Sequence, residues 1–197
     1  GFIIKMKKSP ICFEDSVNKN RTLDIEQIDL SKYQIVSVYE DNDEFIYYNI
    51  VEMMPSLMIK LSKSNDIIDV KKMIKEANIL KSFDSQFIIK CKGINLAGID
   101  YKQSPTIIME YVSDIKLSDI IYKDNQKEKT VELTELQKLK IIYGIATGMS
   151  HVHSKGIIHR KLAPKNIFLD EYLLPKICNF ELSIILNEKD NKSNEYK

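Results

Sequence analysis

Short runs of β-branched and aromatic residues come first in this chain and longer apolar stripes at helical spacing come later, a succession that predicts an α+β protein. Gln34-Ile35-Val36-Ser37-Val38 and Phe45-Ile46-Tyr47-Tyr48-Asn49-Ile50-Val51 flank the polar turn Glu40-Asp41-Asn42-Asp43-Glu44, the pattern of a hairpin. Pro55-Ser56 separates a third strand, Leu57-Met58-Ile59-Lys60-Leu61. Asp66 then caps a helix whose apolar face is Ile67, Val70, Met73, Ile74, Ala77 and Leu80. Two further strands, at 87–93 and 106–112, complete a small antiparallel sheet, with Gly98 and Pro105 bracketing the loop between them. After a short helix at 115–122 and a charged loop at 123–129, Thr134 and Gln137 form a capping box for a long helix. Along it Leu136, Leu139, Ile142, Tyr143, Ala146, Met149 and Val152 recur as one stripe, and Gly156 stops it. Residues 1–32 carry no sustained periodicity and read as a partly disordered leader; 187–197 read as a disordered polar tail.

Composition narrows the function classes. With 197 residues, 44% hydrophobic and 29% charged, the chain is ordinary for a globular protein. Its net charge of +1 offers no concentrated basic face for nucleic acid or for an anionic membrane. Cys12, Cys91 and Cys178 are odd in number and lack metal-ligand spacing, which points to a reduced, cytoplasmic setting. No apolar run approaches the ~20 residues of a membrane span, and the first residues lack the pattern of a signal peptide. His151 and His153 have no acid or cysteine beside them to complete a metal site.

The candidate chemistry lies further on. His159-Arg160-Lys161-Leu162-Ala163-Pro164-Lys165-Asn166 matches the kinase catalytic-loop pattern H-R-D-L-x-x-x-N at four of its five fixed positions, the Asp being replaced by Lys161. Asn179-Phe180-Glu181 stands where that pattern is followed by D-F-G. The chain therefore resembles a eukaryotic protein kinase from about Tyr33 to Leu186, and the stretches 145–153 and 175–177 are similar to the tyrosine-kinase-like branch. The resemblance implies a kinase-like fold: a sheet lobe with one helix and a hinge at 33–112, then a partial helical lobe at 113–186. It also implies a remnant nucleotide pocket made by Lys60, Glu76, Glu110, Val112 and Asn166. Lys60 would be the strand lysine that pairs with a helix glutamate, here Glu76, and Glu110 to Val112 would be the hinge whose backbone meets adenine. Leu80, Cys91, His159 and Phe180 take the places of an apolar spine.

The departures fall on the residues that carry charge in phosphoryl transfer. Lys161 has no lone pair for the substrate's proton, Ala163 replaces a supporting lysine, and Asn179 is a weaker ligand than Asp for a hard dication. The three glycines of the phosphate loop align with Glu40, Asn42 and Phe45. Glu40, Asp41, Asp43 and Glu44 would then lie beside a polyphosphate tail, each carboxylate repelling a phosphate charge by about 3 kcal/mol at ~6 Å and an effective dielectric near 20. Met58 and Phe168, at the roof and floor of the adenine slot, would fill it. The expectation is a degenerate, C-terminally truncated pseudokinase with no catalytic residues, no bound metal and no need for ATP or magnesium. Such a module works by binding another protein, which would cover a helical lobe left incomplete after Leu186. The alternatives are an ATP-dependent Ser/Thr kinase of atypical residues and a truncated fragment without function.

Overall fold

The computed structural model describes residues 35–41, 45–50, 57–64, 66–95, 105–122 and 133–186. The leader at 1–32, the loop at 123–129, the tail at 187–197 and Asn42, Asp43 and Glu44 lie outside the described residues. Two compact units make up the chain, Gly1–Ser82 with Lys90–Tyr111 and Phe83–Ile89 with Val112–Lys197.

In the first unit the apolar runs pair as one antiparallel sheet. Strands β1 (Ile35–Asp41), β2 (Phe45–Ile50), β3 (Leu57–Ser62), β4 (Cys91–Asn95) and β5 (Thr106–Glu110) take the order β1-β2-β3-β5-β4. Lys60 lies opposite Tyr47 on β2 and Ile107 on β5. Helix α1 (Ile67–Lys81) crosses between β3 and β4, and Asp66 caps it by accepting from the Ile68 N–H. Its buried face is Met73, Ile74, Glu76, Ala77, Ile79 and Leu80, whereas Ile67 and Ile68 in the first turn are exposed. The strand expected at 87–93 begins later, at Cys91. Ile89 N–H donates to Ile177 O and Ile177 N–H to Phe87 O, so the run Phe87-Ile88-Ile89 is hydrogen-bonded within the second unit.

The second unit contains α2 (Leu117–Tyr122), α3 (Glu135–Ser154) and two short antiparallel pairs. One pair is β6 (Ile157–Ile158) with β9 (Ile184–Ile185); the other is β7 (Ile167–Leu169) with β8 (Pro175–Ile177). The capping box at Thr134 forms, its side chain accepting from Gln137 N–H while the Gln137 side chain accepts from Thr134 N–H. Leu117, Ile141, Ile167 and Leu169 build a core against which Ile120, Leu133, Ile145 and Leu173 pack.

The orientation of α3 differs from the sequence expectation. Its buried residues are Ile141, Gly144, Gly148 and Val152, while Leu136, Leu139, Ile142 and Tyr143 of the expected stripe are 61–68% exposed. Two glycines explain the choice of face. A Cβ on Gly144 would stand 2.5 Å from Pro175 Cγ, and one on Gly148 would stand 2.9 Å from Ile177 Cδ1 and 3.1 Å from Phe87 Cβ. The helix approaches β8 closely only where it has no side chain, so the bulkier apolar residues face outward.

Gly144→Ala tests that close approach. Alanine raises helix propensity by about 1 kcal/mol, but its methyl meets a rigid proline ring, and overpacking costs about 1–3 kcal/mol. The variant is expected to unfold at lower urea concentration than the native chain; equal or higher resistance would show that the contact is not tight.

Candidate functional site

Within the first unit β3 and α1 bring Lys60 and Glu76 together from sixteen residues apart. Lys60 Nζ donates to Glu76 Oε2 at 2.8 Å, and both side chains are almost wholly buried. Phe45 of β2 places its ring 4.0 Å from the same ammonium. Desolvating a lysine is costly unless a carboxylate and, here, a π-face replace the lost water. The charge of Lys60 is thus balanced from within the unit.

Glu110 at the end of β5 is bound on two sides by one residue. Its N–H donates to Lys90 O at 2.9 Å and its Oε1 accepts from Lys90 N–H at 3.0 Å. Val112 follows in the second unit and is half-buried. Met58 and Phe168 are both buried, Met58 on β3 opposite Met109, and Phe168 on β7 with Lys116 Nζ 5.6 Å from its ring centroid. Leu80, Cys91, His159 and Phe180 are all buried. Burial pushes the Cys91 thiol up to about 12, so it behaves as a packing group rather than a nucleophile.

The catalytic-loop segment in the second unit is built around His159. Its Nε2 lies 3.0 Å from Cys178 O, and its Nδ1 accepts from Lys161 N–H at 3.1 Å, which sets the neutral tautomer with the proton on Nε2. Phe180 packs on the imidazole at 4.4 Å between centroids and on Phe83 at 5.2 Å. Ser183 Oγ donates to His159 O. These bonds hold Arg160 and Asn179 at φ 64° and 66°, a left-handed conformation that asparagine accepts and arginine adopts only under constraint.

Asn166 is fully engaged. Its Nδ2 donates to Lys161 O at 2.7 Å and its Oδ1 accepts from Asn179 Nδ2 at 3.2 Å. Asn179 Oδ1 is buried without a hydrogen-bond partner. Two neutral amides thus bond one another, and the oxygen left without a partner belongs to Asn179, where the family motif has a carboxylate. That donor set offers a hard dication no carboxylate, only neutral amide oxygens, which are weaker ligands for it. No cluster of three or more His, Cys, Asp or Glu suited to a metal exists among the described residues.

Lys161 and Glu181, twenty residues apart, form an ion pair. The lysine side chain is 28% exposed and the glutamate 8%. Each replaces a motif residue of different charge, Asp in one case and Gly in the other, and each answers the other. In the sequence each reads as a separate exchange; the signal that joins them is that two exchanges of opposite sign fall in motifs expected to act together. The Phe45 ring over Lys60 likewise carried no periodic signal.

The chain matches, over residues 50–197, the family described as protein tyrosine and serine/threonine kinase. It is 35% identical over 113 residues to the tyrosine-protein kinase receptor svh-2 of Caenorhabditis elegans, covering 57% of this chain and 10% of the relative. It is 32% identical over 130 residues to the dual specificity protein kinase pyk3 of Dictyostelium discoideum, covering 66% and 9%. With the MAP kinase kinase MKK1/SSP32 of Saccharomyces cerevisiae it shares 34% over 113 residues, covering 57% and 22%. The aligned region thus spans between 9% and 22% of the length of these relatives. Among the described residues no helix is long and apolar enough to cross a membrane.

Two outcomes follow from this geometry. Burial, joined by the nearby Lys161 cation, holds the His159 imidazole below its ordinary 6.5, although the Cys178 carbonyl opposes the shift. The folded state therefore binds fewer protons than the unfolded chain. Stability from this group is complete above 6.5 and falls as the pH drops through the lower folded value. Urea titrations at descending pH should show that acid loss in the native chain and a smaller one in His159→Gln. Lys161→Ala should cost about 2 kcal/mol, less than the about 3–5 kcal/mol of a fully buried broken pair because Lys161 is partly exposed. Adding Glu181→Ala should recover part of that loss; strict additivity in the double-mutant cycle would refute the coupling.

Proposed function

The chain belongs to the protein tyrosine and serine/threonine kinase family, and from that premise we propose that it is a pseudokinase, a kinase-like module that transfers no phosphate and acts by binding another protein. The observation that carries this reading is Lys161, an ammonium in the position of the catalytic base and paired with Glu181. Phosphoryl transfer in this family needs a carboxylate there to accept the substrate proton, and a positioned base contributes about 10²–10⁴-fold in rate. An ammonium has no lone pair with which to accept that proton.

The nucleotide side of the reaction is weakened by the same kind of exchange. Asn179 and Asn166 bond each other rather than presenting a carboxylate to magnesium. Lys60 is held between Glu76 and Phe45, and the segment aligned with the phosphate loop has no glycine. The module accordingly needs neither ATP nor magnesium. Its buried packing is retained, which suits a protein whose function resides in a surface, and cysteines odd in number and far apart support a cytoplasmic setting. The exposed apolar row on α3 is the surface available to a partner.

The test is a radiolabelled phosphate-transfer assay of the purified chain with general protein substrates. No incorporation is expected. A reversion control needs three changes, Lys161→Asp, Asn179→Asp and Glu181→Gly, because an aspartate at 161 alone would face Glu181. Phosphate incorporation by the native chain, abolished by Lys60→Met, would show an atypical kinase instead. The melting temperature should not move on adding ATP with or without magnesium, since a ligand that binds the folded state must raise it.

A further inference from the structure

We propose that Phe45 is the residue that closes the Lys60 ammonium to anions, its ring taking the place a phosphate oxygen would occupy. The inference rests on the reading of the chain as a module that uses no nucleotide, and it names the side chain that keeps phosphate away. Strand pairing sets the contact. Phe45, at the head of β2, lies opposite Ser62 of β3, and Lys60 stands two residues before Ser62, so both side chains leave the same face of the sheet. Such diagonal neighbours lie about 7–8 Å apart, within reach of an aromatic side chain. The ring centroid accordingly comes to 4.0 Å from Lys60 Nζ. The glycine expected at this position from the motif would have no side chain to put there.

Burial identifies the ring as the cover. Lys60 and Glu76 are each 1% exposed, whereas Phe45 is half-buried. Of these three groups only the ring reaches the surface, and its removal is what would open the ammonium.

The ring and an anion compete for the same cation. Glu76 Oε2 accepts from Lys60 Nζ at 2.8 Å. A phenyl face attracts the ammonium through its quadrupole but supplies no full negative charge. A phosphate oxygen does supply one, and a charge-assisted hydrogen bond to it is about twice as strong as a neutral one. The ring prevails because it is tethered: β2 holds it against the ammonium at an effective concentration that a dilute free ion does not reach. Lys60 and Glu76 thus remain an anion receptor whose mouth is filled by the protein itself.

Isothermal titration calorimetry of the 197-residue chain with sodium tripolyphosphate, without magnesium and against sodium sulfate at equal ionic strength, tests this. The native chain should bind none within the range titrated. Phe45→Ala should bind tripolyphosphate at least about tenfold more tightly than that limit, the factor expected when a competitor of cation–π strength is removed. Phe45→Leu fills part of the space without a π-face and should fall between the two. Where the alanine variant does not fold, the leucine variant decides, and its failure to bind overturns the proposal. Adding Lys60→Gln and Glu76→Gln to Phe45→Ala removes both charges as a pair and should abolish the uptake. Folded variants that stay closed, uptake that survives the loss of Lys60, or a native chain that already binds tripolyphosphate would each overturn the proposal. A native chain that binds tripolyphosphate yet transfers no phosphate would do so while leaving the pseudokinase reading standing, since that reading is decided by the phosphate-transfer assay.

Discussion

Glu181 sits with its side chain 8% exposed, where an isolated carboxylate would lose several kilocalories of hydration. What makes it tolerable is Lys161, reaching it from the other side of the motif pair. The two positions bring together segments twenty residues apart, and the ion pair fastens the loop after β6 to the turn before β9. The same rule governs the first unit, where Lys60 is buried only because Glu76 and the Phe45 ring replace its water. Charges out of water must be answered locally, and each of these is answered by the protein's own side chains.

Around that constraint the motif segments are held by packing and hydrogen bonds. His159 keeps both ring nitrogens occupied, Phe180 covers its face, and the left-handed backbone at Arg160 and Asn179 is preserved. These features depend on shape and hydrogen bonding, and they tolerate a change of charge at 161 or 179. On the proposed pseudokinase reading, proton transfer would not survive such a change, because a base at 161 must offer a lone pair, and a metal ligand at 179 would be weakened by the loss of charge. An amide can take part in the hydrogen-bond network there, as Asn179 does with Asn166, and is still a weaker ligand than a carboxylate for a hard cation.

Helix α3 joins the fold to the functional reading. Gly144 and Gly148 let it approach β8 and Phe87, which leaves its large apolar residues on the far side. The helix thus presents outward the residues with most to gain from burial, a consequence of how tightly the inner face packs.

Much of this protein was legible in the order of its residues. Thr134 and Gln137 mark the start of α3 and Asp66 that of α1, and the motif register alone sets Lys60 beside Glu76. These are signals carried by neighbours in the chain or by a pattern with known spacing. Tertiary structure decided the rest. Which side of α3 is buried depended on two glycines meeting a proline and an isoleucine, whereas counting bulky residues selects the opposite side. The pairing of Phe87-Ile88-Ile89 with Ile177 and of Lys161 with Glu181, and the ring of Phe45 over Lys60, are likewise contacts between residues distant in sequence. Local backbone preference can determine where an element begins and ends, but a residue's partner across space is set only when the whole chain has closed around it.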